Sequence, residues 1–316
     1  MRNGGGKDFS PPRHCSTRKE LTVSKYTKLH KWSGKEGYER VISPETSVNQ
    51  YMGLDYIKLA PGKDIRFESK GREMAMVLIE GDFTVDVEWK GASAISGARG
   101  SRKNPFDDLP TAVYIPPKSS VRVASEKGME ARIYHIDEEE GNAPFFLEPR
   151  MVDVGDPGVL QWKRTYRFLF GPPGAANDSI TKKLIVGESV STRGGWIGFP
   201  AHRHDAAAPD EFPLDELFSF RVRGSRKDNG TVICYVCGRD ASQGDGIGYD
   251  STERWDDFYA IEDDLSSVSI NEGYHSSLAV PGSQEYLFWG LGGKDKVYKL
   301  RFDPRHTWVL TGEDLL

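Results

Sequence analysis

The sequence predicts an all-β protein built from two consecutive barrel domains, and three observations lead there. At 316 residues the chain exceeds what one hydrophobic core usually serves and suits two domains. Short stretches rich in β-branched and aromatic residues recur between Gly, Pro, Asn and Asp, the rhythm of a sandwich or barrel. Convincing helical periodicity is scarce throughout.

Taken in order, residues 1–20 form a polar, turn-rich leader with Gly4-Gly5-Gly6 and Pro11-Pro12, expected to be disordered. Its basic residues flank no apolar stretch of the kind a secretory signal needs. The first domain is expected over residues 21–150, with strands at Tyr56–Leu59, Ala75–Ile79, Phe83–Glu88, Ala112–Ile115 and Ala131–Tyr134. Alternation is clearest in Phe83-Thr84-Val85-Asp86-Val87-Glu88, whose apolar residues share one face. The acidic, turn-forming Glu138–Pro144 closes this series. The second domain, 151–316, carries strands at Leu184–Val186, Gly195–Phe199, Glu216–Phe220, Thr231–Val236, Tyr286–Trp289 and Val297–Leu300.

Composition narrows the function. Lys and Arg number 42 against 47 Asp and Glu, a net charge of −5, and no basic block offers the footprint that nucleic acid requires. No apolar run is long enough to span a bilayer, so no membrane partner is expected. Three cysteines argue against a disulfide framework and for a reducing, cytoplasmic setting.

The chemistry concentrates in the second half. His202 and His204 are two apart, so on a strand both imidazoles leave the same face and can converge on one ion. Glu216 opens the next apolar strand with Phe218 and Phe220 on its own face, placing a carboxylate where the barrel interior should be. Such a group is costly unless a cation or strong hydrogen bonds accept it. Glu272-Gly273-Tyr274-His275 is a tight turn that delivers a third imidazole. Three imidazoles and a carboxylate suit one divalent transition metal; zinc leads, and Mn, Fe, Co and Ni also fit the donor set. Among nearby groups able to move a proton, Glu211 and Tyr274 are the leading catalytic candidates, ahead of Asp205, Asp215 and a metal-bound water. A substrate carboxylate would need a cation, for which Arg164 is preferred over Arg203 and Arg221, with Phe218 lining the same pocket.

His202-x-His204 followed by Glu216, then Gly273-Tyr274-His275, resemble the cupin superfamily. Within it the chain resembles the 5-deoxy-glucuronate isomerase family of myo-inositol catabolism, related to the 4-deoxy-5-keto-uronate isomerases. The likeness runs through Leu109–Pro117, Lys163-Arg164-Thr165, Phe199–Asp205, Leu214-Asp215-Glu216 and Asp303–Trp308. The resemblance implies a bicupin whose C-terminal barrel holds the metal at His202, His204, Glu216 and His275, and whose reaction is the aldose–ketose isomerisation of a deoxy sugar acid. The first barrel, without a ligand cluster, is then a scaffold or the dimerisation surface of a homodimer. Departures from the family pattern fall at Phe218 and Ser219, where paired tyrosines are usual; at Cys234 and Tyr235, for a Gln-Arg pair; at Ser276, for a proline; and near Trp289, for an Asn.

Two rival functions carry the same residues: a non-catalytic bicupin that binds a sugar acid, and a metal-dependent cupin oxygenase. Other features read as structural. Cys234 and Cys237, three apart on a strand, face opposite sides. Gly244–Gly248 opens no helix and reads as a loop tip, His14, His135 and His306 have no second histidine nearby, and no nucleophile motif such as Gly-x-Ser-x-Gly occurs.

Overall fold

A computed structural model describes residues 24–226, 230–238 and 255–311; the leader and the Gly244–Gly248 segment lie outside these residues. Among them there is no α-helix, only strands and three short 3₁₀ turns. The strands form sheets of nine, seven and five members. The nine-stranded sheet draws on residues 37–147 and curls around one core that includes Ile57, Met76, Phe83, Val85 and Ile133. The seven- and five-stranded sheets face each other as a second barrel, whose interior holds Ile197, Phe218, Phe220, Val268 and Trp289. The molecule is an all-β bicupin.

Two expectations change in detail. Ala75–Ile79 and Phe83–Glu88 are not separate strands but parts of one, Arg72–Trp89. The register against Met129–Asp137 shifts between Leu78 and Glu80, and just beyond it Gly81 has φ +97°, where a Cβ would lie 2.0 Å from the Gly128 carbonyl oxygen. Val297–Leu300 forms no strand. Only the residues after it, Arg301–Phe302, pair with Trp196–Arg203, at Arg203 and His202.

The sheets part close to residue 150, with one crossing. Thr27–Lys31 pairs antiparallel with Ser266–Ile270, lending an N-terminal strand to the edge of the C-terminal sheet. The barrels also share a core, in which Trp32, Tyr56 and Tyr134 from the first half meet Leu217, Tyr286 and Phe288 from the second. Tyr134 stacks on Phe288 at 4.4 Å and donates its hydroxyl to the carbonyls of Leu217 and Phe288. Gly290 leaves room for that ring, since a Cβ there would sit 2.6 Å from it. Arg102 reaches across to Glu188 at 2.7 Å, and Arg167 meets the same carboxylate at 3.3 Å. This packing holds the second barrel's sheet, and the residues projecting from it, in fixed register.

Candidate metal centre

The site is built by period-two alternation on facing sheets. From the five-stranded sheet, His202 on Trp196–Arg203 pairs in register with His275 on Tyr274–Ala279. From the seven-stranded sheet, Glu216 projects between them on Asp215–Gly224. The ligand atoms of His202, Glu216 and His275 lie within 4.8 Å of one another. His204, one residue beyond its strand, places Nε2 3.0 Å from Glu216 Oε2, and His275 Nε2 lies 2.7 Å from the same oxygen. The rings of His202 and His204 stand 6.3 Å apart. The structure thus brings all four sequence-predicted ligands to one place, with His204 approaching through Glu216.

Backbone carbonyls set the ring orientations. His204 Nδ1 lies 2.9 Å from Leu214 O and His275 Nδ1 lies 2.9 Å from Gly273 O, so both Nε2 atoms turn inward. His275 Nε2 is buried and makes no hydrogen bond despite its closeness to Glu216. Gly198, at φ +72°, passes beside the His202 ring, 3.3 Å from where its Cβ would be.

The electrostatics suit a cation. Burial, with His275 beside it, pushes the His202 ring down to about 3, so it is neutral at physiological pH. Burial works against ionised Glu216, but His275 and His204 outweigh it and hold the carboxyl well below its usual range. Burial likewise opposes charge on His204, and the Glu216 carboxylate reverses the effect and raises it. An orphaned inward-facing imidazole nitrogen, a neutral neighbour and an ionised carboxylate form a donor set that a divalent transition metal fits.

Beside this cluster lies a pocket of about 110 Å³. His202, Glu216 and Phe218 form one wall, and Arg164, Tyr166 and Phe168, alternating along Arg164–Phe170, form another. Trp289 and Leu291 are apolar lining, while Ser189 and Tyr298 are polar. Both expected substrate-binding residues, Arg164 and Phe218, therefore face the pocket. Ser189, Trp289 and Tyr298 join it unforeseen; Tyr298 comes from a segment without regular pairing, where no local pattern marks it.

The two expected catalytic residues do not line the pocket. Tyr274 follows strand alternation to the opposite face from His275, where it is fully buried with Ala201 and Cys237, and the Arg203 guanidinium lies 4.9 Å over its ring. Glu211 is fully buried, accepts the backbone N–H groups of Asp205 and Ala206 at 2.9 and 3.0 Å, and meets Arg203 at 3.2 Å. Nearness in sequence to the ligands brought these two into consideration; in space, Glu211 fastens the loop after His204. Asp205 does similar work by accepting the Gly273 N–H at 2.8 Å. The Asp215 carboxylate accepts the N–H groups of Tyr51 and Met52, tying the ligand strand to the first barrel.

The remaining readings can be placed. Cys234 lies in the barrel core and Cys237 in the outer cluster with Tyr274, and both are buried. His135 is buried against Asp55 at 3.2 Å in the first barrel. Ser219 points toward the inter-barrel side, where it bonds Tyr56 and Arg132, and Ser276 donates to the Ile197 carbonyl. Those two departures from the family pattern lie outside the pocket. No helix among the described residues is long and apolar enough to cross a membrane.

Comparison with known proteins agrees with this architecture. The solved structure of an IolB-like protein from Salmonella typhimurium LT2 superposes with a TM-score of 0.74 at 22% identity, covering 89% of this chain and 98% of that one. An oxalate decarboxylase from Lactobacillus farciminis shares the fold with a TM-score of 0.59 at 10% identity, over 93% of this chain and 95% of its own. A protein of Geobacillus kaustophilus named 5-deoxy-glucuronate isomerase is 25% identical over 280 residues, 87% of this chain and 91% of that one. One of the same name from Listeria monocytogenes is 24% identical over 278 residues, covering 85% and 91%. The family model described as KduI/IolB matches residues 26–309. With that match running over both barrels and all four candidate ligands, the chain belongs to the KduI/IolB family.

Proposed function

We propose that this protein is an aldose–ketose isomerase that depends on one divalent transition metal, zinc first, and acts on a deoxy sugar acid, 5-deoxy-glucuronate being the leading substrate. The observation that carries the metal dependence is the convergence of His202, His204 and His275 on the Glu216 carboxylate at the wall of a pocket. The substrate follows the relatives' shared name.

Those four residues would hold the ion, which would supply a Lewis acid for the carbonyl oxygen and the neighbouring hydroxyl oxygen of the sugar. The chain's own groups do the rest. Phe168, Phe218, Trp289 and Leu291 form an apolar wall that excludes water from the reacting carbons. Tyr298 is a pocket phenol that burial keeps protonated, so its Oη can give a proton to one sugar oxygen and take one from the neighbouring hydroxyl. Glu211 and Tyr274 act on the ligands rather than on substrate. Glu211 fixes the loop carrying His204, and Tyr274 packs under Arg203 behind His275.

The test is to supply metal-replete protein with 5-deoxy-glucuronate and follow the carbon NMR spectrum. Loss of the aldose signals with growth of a ketone is the expected result; an unchanged spectrum overturns the substrate.

A further inference from the structure

Among the described residues, arginines drawn into the protein come with partners, and half-buried Arg164 is the exception. Arg102 and Arg167 share Glu188, Arg221 meets Glu130 at 2.6 Å, and Arg132 donates to Ser219 and to the Phe220 carbonyl. Arg164 forms no ion pair with any described residue, and its Nη1 is buried without a hydrogen-bond partner. Its place at the start of Arg164–Phe170 puts it on the same face as Tyr166 and Phe168, so it looks into the pocket that holds His202 and Glu216. It is the sole cationic side chain of that lining. An unpaired guanidinium removed from water costs several kcal/mol unless an anion completes it.

We propose that the Arg164 guanidinium is the subsite that takes the carboxylate of the substrate and so sets both its class and its direction. The class is a sugar acid rather than a neutral sugar. The direction places the carboxylate at Arg164 and the aldehyde end at the wall of His202 and Glu216. Guanidinium is suited to this task because it offers two parallel N–H donors to one carboxylate. The inference deepens the isomerase reading and rests on it for the direction of the substrate alone.

The test measures dissociation constants by calorimetry for glucuronate and for glucose on zinc-loaded protein, together with bound zinc and KM for 5-deoxy-glucuronate. Wild type should bind the acid about 100-fold more tightly than the neutral sugar, the scale of a desolvated charge-assisted pair. R164M should abolish that preference while leaving zinc content and glucose affinity unchanged. A zinc-replete R164M that keeps the preference overturns the proposal. Should R164M fail to fold, R164K serves: it keeps the charge but loses the paired donors, so KM for the acid should rise about 10-fold with kcat nearly constant. An unchanged KM in R164K overturns the subsite. Preferential acid binding by a wild type that converts nothing would instead sink the isomerase reading and leave this subsite standing. Equal affinity of wild type for acid and neutral sugar overturns the subsite whatever the turnover.

Discussion

Glu285→Gln should stabilise the protein at neutral pH and do little in mild acid. Glu285 lies on Ser283–Gly292, in the same inward row as Leu287, Trp289 and Leu291, and is fully buried. Neither carboxyl oxygen has a hydrogen-bond partner of good geometry, and Ser277 gives the sole offset to burial, which raises the group from 4.5 to about 8. A carboxyl whose pKa is raised on folding binds its proton more tightly in the native state. Stability therefore falls as pH rises from 4.5 through about 8, because the unfolded chain releases the proton first. At pH 7 the gap traversed is about 2.5 units, worth roughly 3 kcal/mol at ~1.4 kcal/mol per unit; at pH 5 it is under about 1 kcal/mol. Glutamine matches the neutral acid in size and removes the titration. In thermal melts of wild type and variant in the same zinc-loaded state, the variant should gain roughly 5–10 °C at pH 7 and little at pH 5. An equal difference at both pH values would show that Glu285 is not a neutral buried acid, and the reasoning would fail.

Other outcomes follow from the same contacts. The double variant His202→Ala, His275→Ala should lose its bound transition metal, read by elemental analysis, and undiminished metal would misplace the site. Glu216→Gln should lower turnover by at least about 100-fold, far beyond its effect on the melting temperature, because the ion would lose its charged ligand. Glu73→Ala should cost about 2–4 kcal/mol in denaturant unfolding, since its carboxylate accepts the N–H groups of Lys182, Lys183 and Leu184 and the Tyr114 hydroxyl. Isomerisation in heavy water should leave deuterium at the receiving carbon if the proton exchanges with solvent through a pocket group, and none if hydride shifts directly.

The convergence of the candidate ligands was readable in the sequence because strand alternation is a local rule: His202 and His204 two apart, Glu216 in step with Phe218, and a Gly turn before His275. The same rule separated Cys234 from Cys237. It also places Tyr274 opposite His275, yet sequence nearness outweighed that signal when Tyr274 and Glu211 were weighed as bases. Tyr298 had no local signature, since it reaches the pocket from an extended segment bonded to the Phe212 region instead of a sheet. The loan of Thr27–Lys31 to the second barrel depends on pairing across 239 or so positions, which no local window contains.

The central claim is that a metal held by His202, His204, Glu216 and His275 drives the isomerisation. The most direct measurement is the rate of 5-deoxy-glucuronate conversion as a chelator-stripped protein is titrated with Zn²⁺, with bound metal determined at each point. The account predicts no turnover in the stripped protein and a rate that rises in proportion to occupancy, levelling at one ion per chain. Full turnover by metal-free protein would contradict it.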